Sequence, residues 1–408
     1  MQGFTIFSAL TGLASHWVLY RWAVALWPRV ARARIPLALL VAVVVVLQAA
    51  TRRMATASHD AAMSNVHTAI VFELMVVGFS AIPILLLRAA TWVATRTRAS
   101  ALALPATPPT PAKPPSATPD VDDDAPSISA PRLSRRQIVE GVGGASFLAA
   151  TGSMIGWGIV RGRHAFEIDE VVVKLAGLPR ALDGYTIAQI SDIHTGIYIG
   201  DRELAEGFAR VAEARPDLLV VTGDMVDFDS NYAAKLARKI ADARPRDGAV
   251  AILGNHDYYT GAHLVAAALR DAGVELLVNE GRIVRPGDGG GFALLGVDDV
   301  GARRYRSEGP NLDRALASVP ADRARVLLSH QPPTIDRWAG RIGLQLSGHT
   351  HGGQINPGFR PADLLFRYVA GRYEVGATTL WVNRGFGTVG PPSRVMAPPE
   401  VTRVILVA

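Results

Sequence analysis

Five short runs of Val, Ile and Leu in the second half of this chain each stop at a polar motif, and that recurrence limits the fold more than any other feature. Tyr185–Ile190 runs into SDIHTG, Asp217–Val221 into TGDMVD, Ala249–Leu253 into GNHD, Arg325–Leu328 into SHQPP, and Ile342–Leu346 into SGHTHGG. Short apolar runs bounded by Gly, Pro or Asp read as buried strands. Glu170–Leu175, Phe292–Leu295, Thr379–Val382 and Thr402–Val407 read the same way. Between them, Asp201–Ala214, Ala233–Ala243 and Ala262–Ala272 have the periodicity of helices. The alternation predicts an α/β domain. If the strands end on one rim, the usual ligand crevice of such sheets, then Asp192, His194, Asp224, Asn255, His256, His330, His349 and His351 converge there.

Those residue types suit metal chemistry. The chain has no cysteine, so a metal site must be built from His, Asp, Glu, Asn or backbone oxygen. Imidazole suits transition metals, and carboxylate or amide oxygen suits harder ions. A carboxylate can bridge two ions, and two ions about 3.5–4 Å apart can clamp a phosphoryl group and generate a hydroxide at neutral pH. Gly196, Gly223, Gly254, Gly348, Gly352 and Gly353 permit tight turns at the strand ends. An isolated Asp-x-His arises by chance, and a lone buried histidine is more often a core residue than a ligand. The ordered set is a different matter: it takes in five of the chain's ten histidines, each directly after a strand-like run.

In that order and spacing the sequence resembles the calcineurin-like metallophosphoesterases over about residues 168–408, through Asp192-Ile-His194, Gly223-Asp224, Gly254-Asn255-His256-Asp257, Ser329-His330 and Gly348-His349-Thr350-His351. The closing NRGFGTVGPPSRVMAPPEV from Asn383 belongs to the likeness. More narrowly, the chain resembles bacterial transmembrane proteins with a metallophosphoesterase domain. The resemblance implies a four-layer αββα sandwich. It implies two divalent metal ions (manganese, iron or zinc), with Asp192, His194 and His351 on the first, Asn255, His330 and His349 on the second, and Asp224 bridging both. It gives His256 a role outside the metal shell, stabilising the transition state or protonating the leaving oxygen. Asp257 is expected to orient a neighbour, as carboxylates orient ligand histidines.

The first 160 residues read differently. They hold 13 Lys+Arg against 7 Asp+Glu, whereas residues 161–408 hold 29 of each, so the whole net charge of +6 lies beside long apolar runs. That pattern fits a membrane and argues against a nucleic-acid partner. Phe4–Trp27 (broken by His16 and Arg21), Ile35–Ala50, and Thr68–Leu87 (with Glu73 and Pro83) are predicted as three transmembrane helices of a membrane region 1–100. Arg21 and Glu73 are expected to snorkel to opposite surfaces rather than pair. Residues 101–133 hold nine of the 26 prolines and read as a disordered linker. Residues 134–162 read either as a fourth transmembrane helix or as a twin-arginine-like signal anchor built on Arg135 and Arg136. Residues 165–408 then form the metallophosphoesterase domain.

Arg29, Arg32, Arg34, Arg88, Arg96, Arg98, Arg132, Arg135 and Arg136 fall on one side if the N-terminus is outside. This predicts a multi-pass protein of the bacterial inner membrane with the catalytic domain on the outer, periplasmic face. Arg52, Arg53, Arg161 and Arg163 run against that rule.

The leading expectation is a membrane-anchored binuclear-metal phosphoesterase. It would hydrolyse a phosphoester or pyrophosphate bond by attack of the hydroxide that the metals generate, on a lipid-linked or cell-envelope substrate such as a UDP-diacylglucosamine-type pyrophosphate. Membrane lipids are the expected partners. The rival is a non-catalytic membrane sensor or scaffold that keeps the metal-binding fold, although degenerate relatives usually lose ligands and all seven remain here. An accessory esterase of a transporter is a third reading. The segment FRPADLLFRY, Phe359–Tyr368, offers apolar side chains to a bilayer, but the plainer expectation is that they pack inside their loop.

Overall fold

A computed structural model describes residues 2–58, 61–102 and 133–408. The linker expected at 101–133 therefore lies almost wholly outside the described residues. By contact the chain divides into two units, Met1–Ala49 with Glu73–Ser153, and Ala50–Phe72 with Met154–Ala408. Helices α2 (Arg34–Ser58) and α3 (Ala61–Leu102) run from one into the other.

The first unit is helical. Three helical stretches among the described residues are long and apolar enough to cross a membrane: Pro28–Thr56, Ala62–Thr97 and Arg135–His164. The last contains α4 (Arg135–Val160). Helix α1 (Gln2–Leu26) covers the segment expected as the first span and is not among these three. Arg21 and Glu73 do not pair with each other, as expected: the Glu73 carboxylate lies 2.9 Å from His16 Nε2, while Arg21 sits over the Trp17 ring. Of the twin arginines, Arg136 is tied at 2.7 Å to the buried Glu140 one turn on, and Arg88 stands 3.7 Å from the same carboxylate. Trp22, Leu26 and Ile84 form this unit's small apolar core.

The second unit holds the expected sandwich. One six-stranded sheet has the order β1 (Glu167–Lys174), β12 (Glu400–Val407), β2 (Tyr185–Ile190), β3 (Leu218–Thr222), β4 (Ala249–Ile252), β5 (Glu275–Leu276). The other runs β10 (Gly371–Val375), β11 (Thr378–Val382), β9 (Leu344–Ser347), β8 (Arg325–Leu328), β7 (Phe292–Gly296), β6 (Glu280–Val284). Strands β2, β3 and β4 are parallel, as are β7, β8 and β9.

Buried side chains separate the layers. Val220, Ile252, Leu294, Val326 and Leu346 belong to the core between the sheets. Helices α5 (Asp201–Glu213), α6 (Ala233–Ala241) and α8 (Ala262–Asp271) cover the outer face of the first sheet through Leu204, Phe208, Leu236, Ile240 and Leu269. Leu312 and Ala315 of α9 (Leu312–Ala317), with Ile335 and Trp338 of α10 (Ile335–Trp338), cover the second. Strands covered on both faces bury every side chain, and for that reason β2, β3 and β7 are predominantly apolar, with Gln189 of β2 buried on a hydrogen bond to Thr222.

The segment Phe359–Tyr368 departs from its expected inward packing. Leu364 and Leu365 are 82% and 81% exposed, and Phe359 and Phe366 are also open; only Tyr368 is buried. The 3-10 turn Pro361–Leu364 closes on its own backbone, with Leu365 and Phe366 N–H both donating to the Ala362 carbonyl, and the core of that layer ends at Tyr368.

Candidate metal centre

Eight of the nine sequence-predicted site residues meet, at the carboxyl ends of strands from both sheets. Asp192 and His194 follow β2, Asp224 follows β3, and Asn255 and His256 open α7 (Asn255–Thr260) after β4. His330 follows β8, and His349 and His351 follow β9. The sequence grammar had placed them on one rim; the structure makes that rim a junction of two sheets.

The residues form two adjoining groups. In the first, Asp192, His194 and His351 offer atoms close enough for one ion, with His194 Nε2 3.1 Å from His351 Nε2 and His351 Nε2 3.4 Å from the Asp192 carboxylate. In the second, Asp224, His330 and His349 do the same. His330 Nε2 lies 3.2 Å from Asn255 Oδ1 and 3.3 Å from His349 Nδ1. Asp224 faces both groups, 3.6 Å from His194 Nε2 and 3.2 Å from His330 Nε2.

The backbone is bent to achieve this. Asp192, His194, Asp224, His349 and His351 have φ of 52°, 49°, 54°, 75° and 52°, the left-handed region that non-glycine residues seldom occupy. Such strain persists only where surrounding contacts impose it, and it concentrates at functional sites. Glycine is required alongside: a Cβ on Gly348 would overlap Ser191 Oγ and the Asp192 carboxylate.

The electrostatics suit cations. Burial lowers His194 to about 3, with nearby His256 adding to the fall. Burial and the Arg394 guanidinium hold His351 well below its ordinary value, and burial with His330 lowers His349. These imidazoles are neutral at pH 7, the form that binds metal. For His330 burial pulls downward too, but the Asp224 carboxylate outweighs it and holds His330 well above the ordinary range. Burial pushes Asp224 up, yet His330 wins and keeps it well below. A proton shared between a buried carboxylate and an imidazole can be replaced by a cation. His194 Nδ1 is buried without a hydrogen-bond partner and Nε2 confronts another imidazole nitrogen, so a cation would satisfy what neutral rings cannot. The donor set fits two divalent ions of the N/O-binding class and does not choose among manganese, iron and zinc.

His256 stands at the edge. Its N–H donates to Asp224 at 2.7 Å, and its Nδ1 lies 3.1 Å from Asp227. Burial opposes its protonation, but Asp227 and Asp224 prevail and raise it. Asp227, in the motif TGDMVD, is the carboxylate that sequence reasoning missed in this role. Asp257, the ninth predicted residue, does not orient an imidazole. It is fully buried and accepts from the backbone N–H groups of Asp224, Met225 and Gly254, so it fixes the loop that carries Asp224. Arg394 was missed as well. Fully buried, it donates to the carbonyls of Arg384, Gly385, Gly387 and Ala397 and lies 3.3 Å from His351 Nδ1.

Residues 185–353 match the family described as calcineurin-like phosphoesterase. The chain is 32% identical over 290 residues to a Danio rerio "transmembrane protein with metallophosphoesterase domain", covering 67% of this chain and 66% of that one. It is 31% identical over 284 residues to the "uncharacterized metallophosphoesterase YkuE" of Bacillus subtilis (strain 168), covering 66% and 96%. The Bos taurus "transmembrane protein with metallophosphoesterase domain" is 33% identical over 263 residues, covering 62% and 59%. The match thus spans nearly the whole Bacillus protein and 66% and 59% of the two animal proteins.

Proposed function

This chain belongs to the calcineurin-like phosphoesterases, metal-dependent hydrolases of phosphoester bonds, and from that premise we propose that it is a membrane-anchored binuclear-metal phosphoesterase acting on a lipid-linked or cell-envelope substrate. The observation that carries the reading is the Asp224 carboxylate, which faces a histidine of each group at 3.6 and 3.2 Å. Asp192, His194 and His351 would hold one ion and Asn255, His330 and His349 the other, with Asp224 facing both groups. When bound, the ions supply Lewis acidity toward phosphoryl oxygens and a nucleophile at neutral pH. His256, whose protonated form is favoured by its pairing with Asp227, donates a proton to the departing ester oxygen. Asp257 keeps the Asp224 loop in register.

Three features support a substrate presented at a membrane. The chain carries helices long and apolar enough to cross one. Phe359, Leu364, Leu365 and Met396 are exposed beside Arg360 and Arg367, an apolar surface with basic neighbours. The end of α4 is seated in the catalytic unit: Arg394 N–H donates to the Gly158 carbonyl and Ser393 Oγ to that of Ile155. The arginine distribution favours the outer face of a bacterial inner membrane. A pyrophosphate of the UDP-diacylglucosamine type is the chemical pattern of such a substrate, and an outer-face site turns the choice toward envelope lipids.

The full chain, purified in detergent with manganese, should carry about two metal ions and hydrolyse bis-p-nitrophenyl phosphate. Chelation should abolish turnover and manganese restore it. A fully metallated chain without hydrolysis would sink the catalytic reading in favour of the sensor or scaffold.

A further inference from the structure

The membrane-facing helices bring one cation to the metal centre. Arg52 of α2 lies in the same unit as the catalytic sandwich and packs its guanidinium over the ring of Phe228, 4.5 Å from the centroid. Phe228 also meets His256, with ring centroids 5.3 Å apart at 67°. Together these steps hold the guanidinium within about 10 Å of the His256 ring. Phe228 sits at φ 59°, a costly backbone state for an aromatic residue, and so is wedged between the two by the fold.

Arg52 is otherwise unengaged. Among the described residues it forms no salt bridge and its side chain donates no hydrogen bond to protein. Stacking uses the face of a guanidinium and leaves its in-plane N–H fork free to grip an anion. An arginine at the end of an apolar helix with no carboxylate partner among the described residues calls for a functional reason. The neighbourhood offers a second donor. Tyr198, in the loop after His194, stacks on His67 of α3 at 5.9 Å and 12°, and its hydroxyl is buried without a hydrogen-bond partner. The same arginine had been an exception to the charge rule for orientation; a binding task explains why it stands there.

We propose that Arg52 is a substrate-binding residue supplied by the membrane helices: it holds an anionic group that flanks the phosphoryl under attack. This rests on the phosphoesterase reading and narrows it to substrates with two neighbouring anionic groups, as in a lipid-linked pyrophosphate. The separation from His256 sets the subsite beside the reacting phosphoryl.

The test is binding calorimetry on the full, manganese-loaded chain in detergent, with inorganic phosphate, methylenediphosphonate and farnesyl diphosphate as probes. The variants are Arg52→Gln, which keeps a planar group on Phe228 without charge, and Arg52→Lys. Arg52→Gln should weaken both two-phosphate probes about tenfold and phosphate less than about twofold, with Arg52→Lys recovering part of the loss. Equal losses for all three probes with a lowered melting temperature would mean that Arg52 only fastens α2 to Phe228, and unchanged binding would also overturn the proposal. A loss confined to methylenediphosphonate would overturn the lipid-linked source. Wild-type chain that shows the expected pattern yet fails to hydrolyse bis-p-nitrophenyl phosphate would refute the phosphoesterase reading and leave the anion subsite standing.

Discussion

The Asp192–His194–His351 group is buried throughout and brings a carboxylate of its own, whereas the Asn255–His330–His349 group has no carboxylate apart from Asp224 and is partly open at His349. The first also leans on a fully buried arginine, Arg394, and the second on the backbone carbonyl of Thr222, which lies 2.8 Å from His330 Nδ1. Affinity for a divalent ion rises with ligand charge and rigidity. The difference teaches that two sites sharing one carboxylate need not share one affinity: under the proposed function, the second ion is the exchangeable one.

The largest perturbation tests what the groups have in common. Asp224→Ala removes the carboxylate that faces both and should reduce kcat/KM for bis-p-nitrophenyl phosphate by about a thousandfold or more, with metal content falling below one ion per chain. Retention of both ions by that variant, measured by elemental analysis, would dissolve the shared centre. Next come the paired changes His349→Ala and His351→Ala, each expected to cost about a hundredfold in activity and about one ion. Titration with a chelator sharpens the contrast: wild type should release its ions in two steps, and His351→Ala should lose the tighter step. A single step would erase the asymmetry.

Arg394→Met probes the backing of the first group alone. It leaves buried carbonyls of Arg384, Gly385, Gly387 and Ala397 without their donor, and should lower stability by about 3 kcal/mol in denaturant titration. The smallest effect belongs to Asp227→Asn, about tenfold in kcat. Asp227 raises His256, so without it His256 gives up its proton at lower pH. If His256 must be protonated to act, activity is lost as pH rises through its pKa, and the alkaline limb of the rate profile should move to lower pH. An unmoved limb would remove His256 as the acid.

How much of this was legible in the sequence follows the burial of each strand. β2 and β8 were read with their observed bounds, and β3, β4, β7 and β9 to within two residues, because strands covered on both faces are mostly apolar. The unread strands β5, β6 and β10 are all sheet edges, where Glu275, Glu280 and Glu374 can face water and the run is broken. The candidate ligands were legible because chemistry restricts which side chains can hold an ion. Their supports were not. Asp227 and Arg394 act through geometry that forms only when distant segments close, and nothing local marks Arg394 as buried. Asp257 was expected to orient a neighbour, and the neighbours it holds are backbone amides. In the membrane region, hydropathy gave the helices but not their contacts: Glu73 found His16, a partner that no pattern in the sequence indicates.

The junction between α4 and the catalytic unit carries a consequence for kinetics. Gly158 and Gly162 let the helix lie directly on the Ser393–Val395 segment; a Cβ on Gly162 would overlap the Arg394 carbonyl. The last part of α4, Met154–Val160, therefore belongs to the catalytic unit itself. If α4 stands in a bilayer, the catalytic unit is confined to the membrane surface, and encounter with a lipid substrate becomes a two-dimensional search. Turnover would then follow the mole fraction of substrate in the lipid surface, so adding inert lipid at constant bulk concentration would slow it.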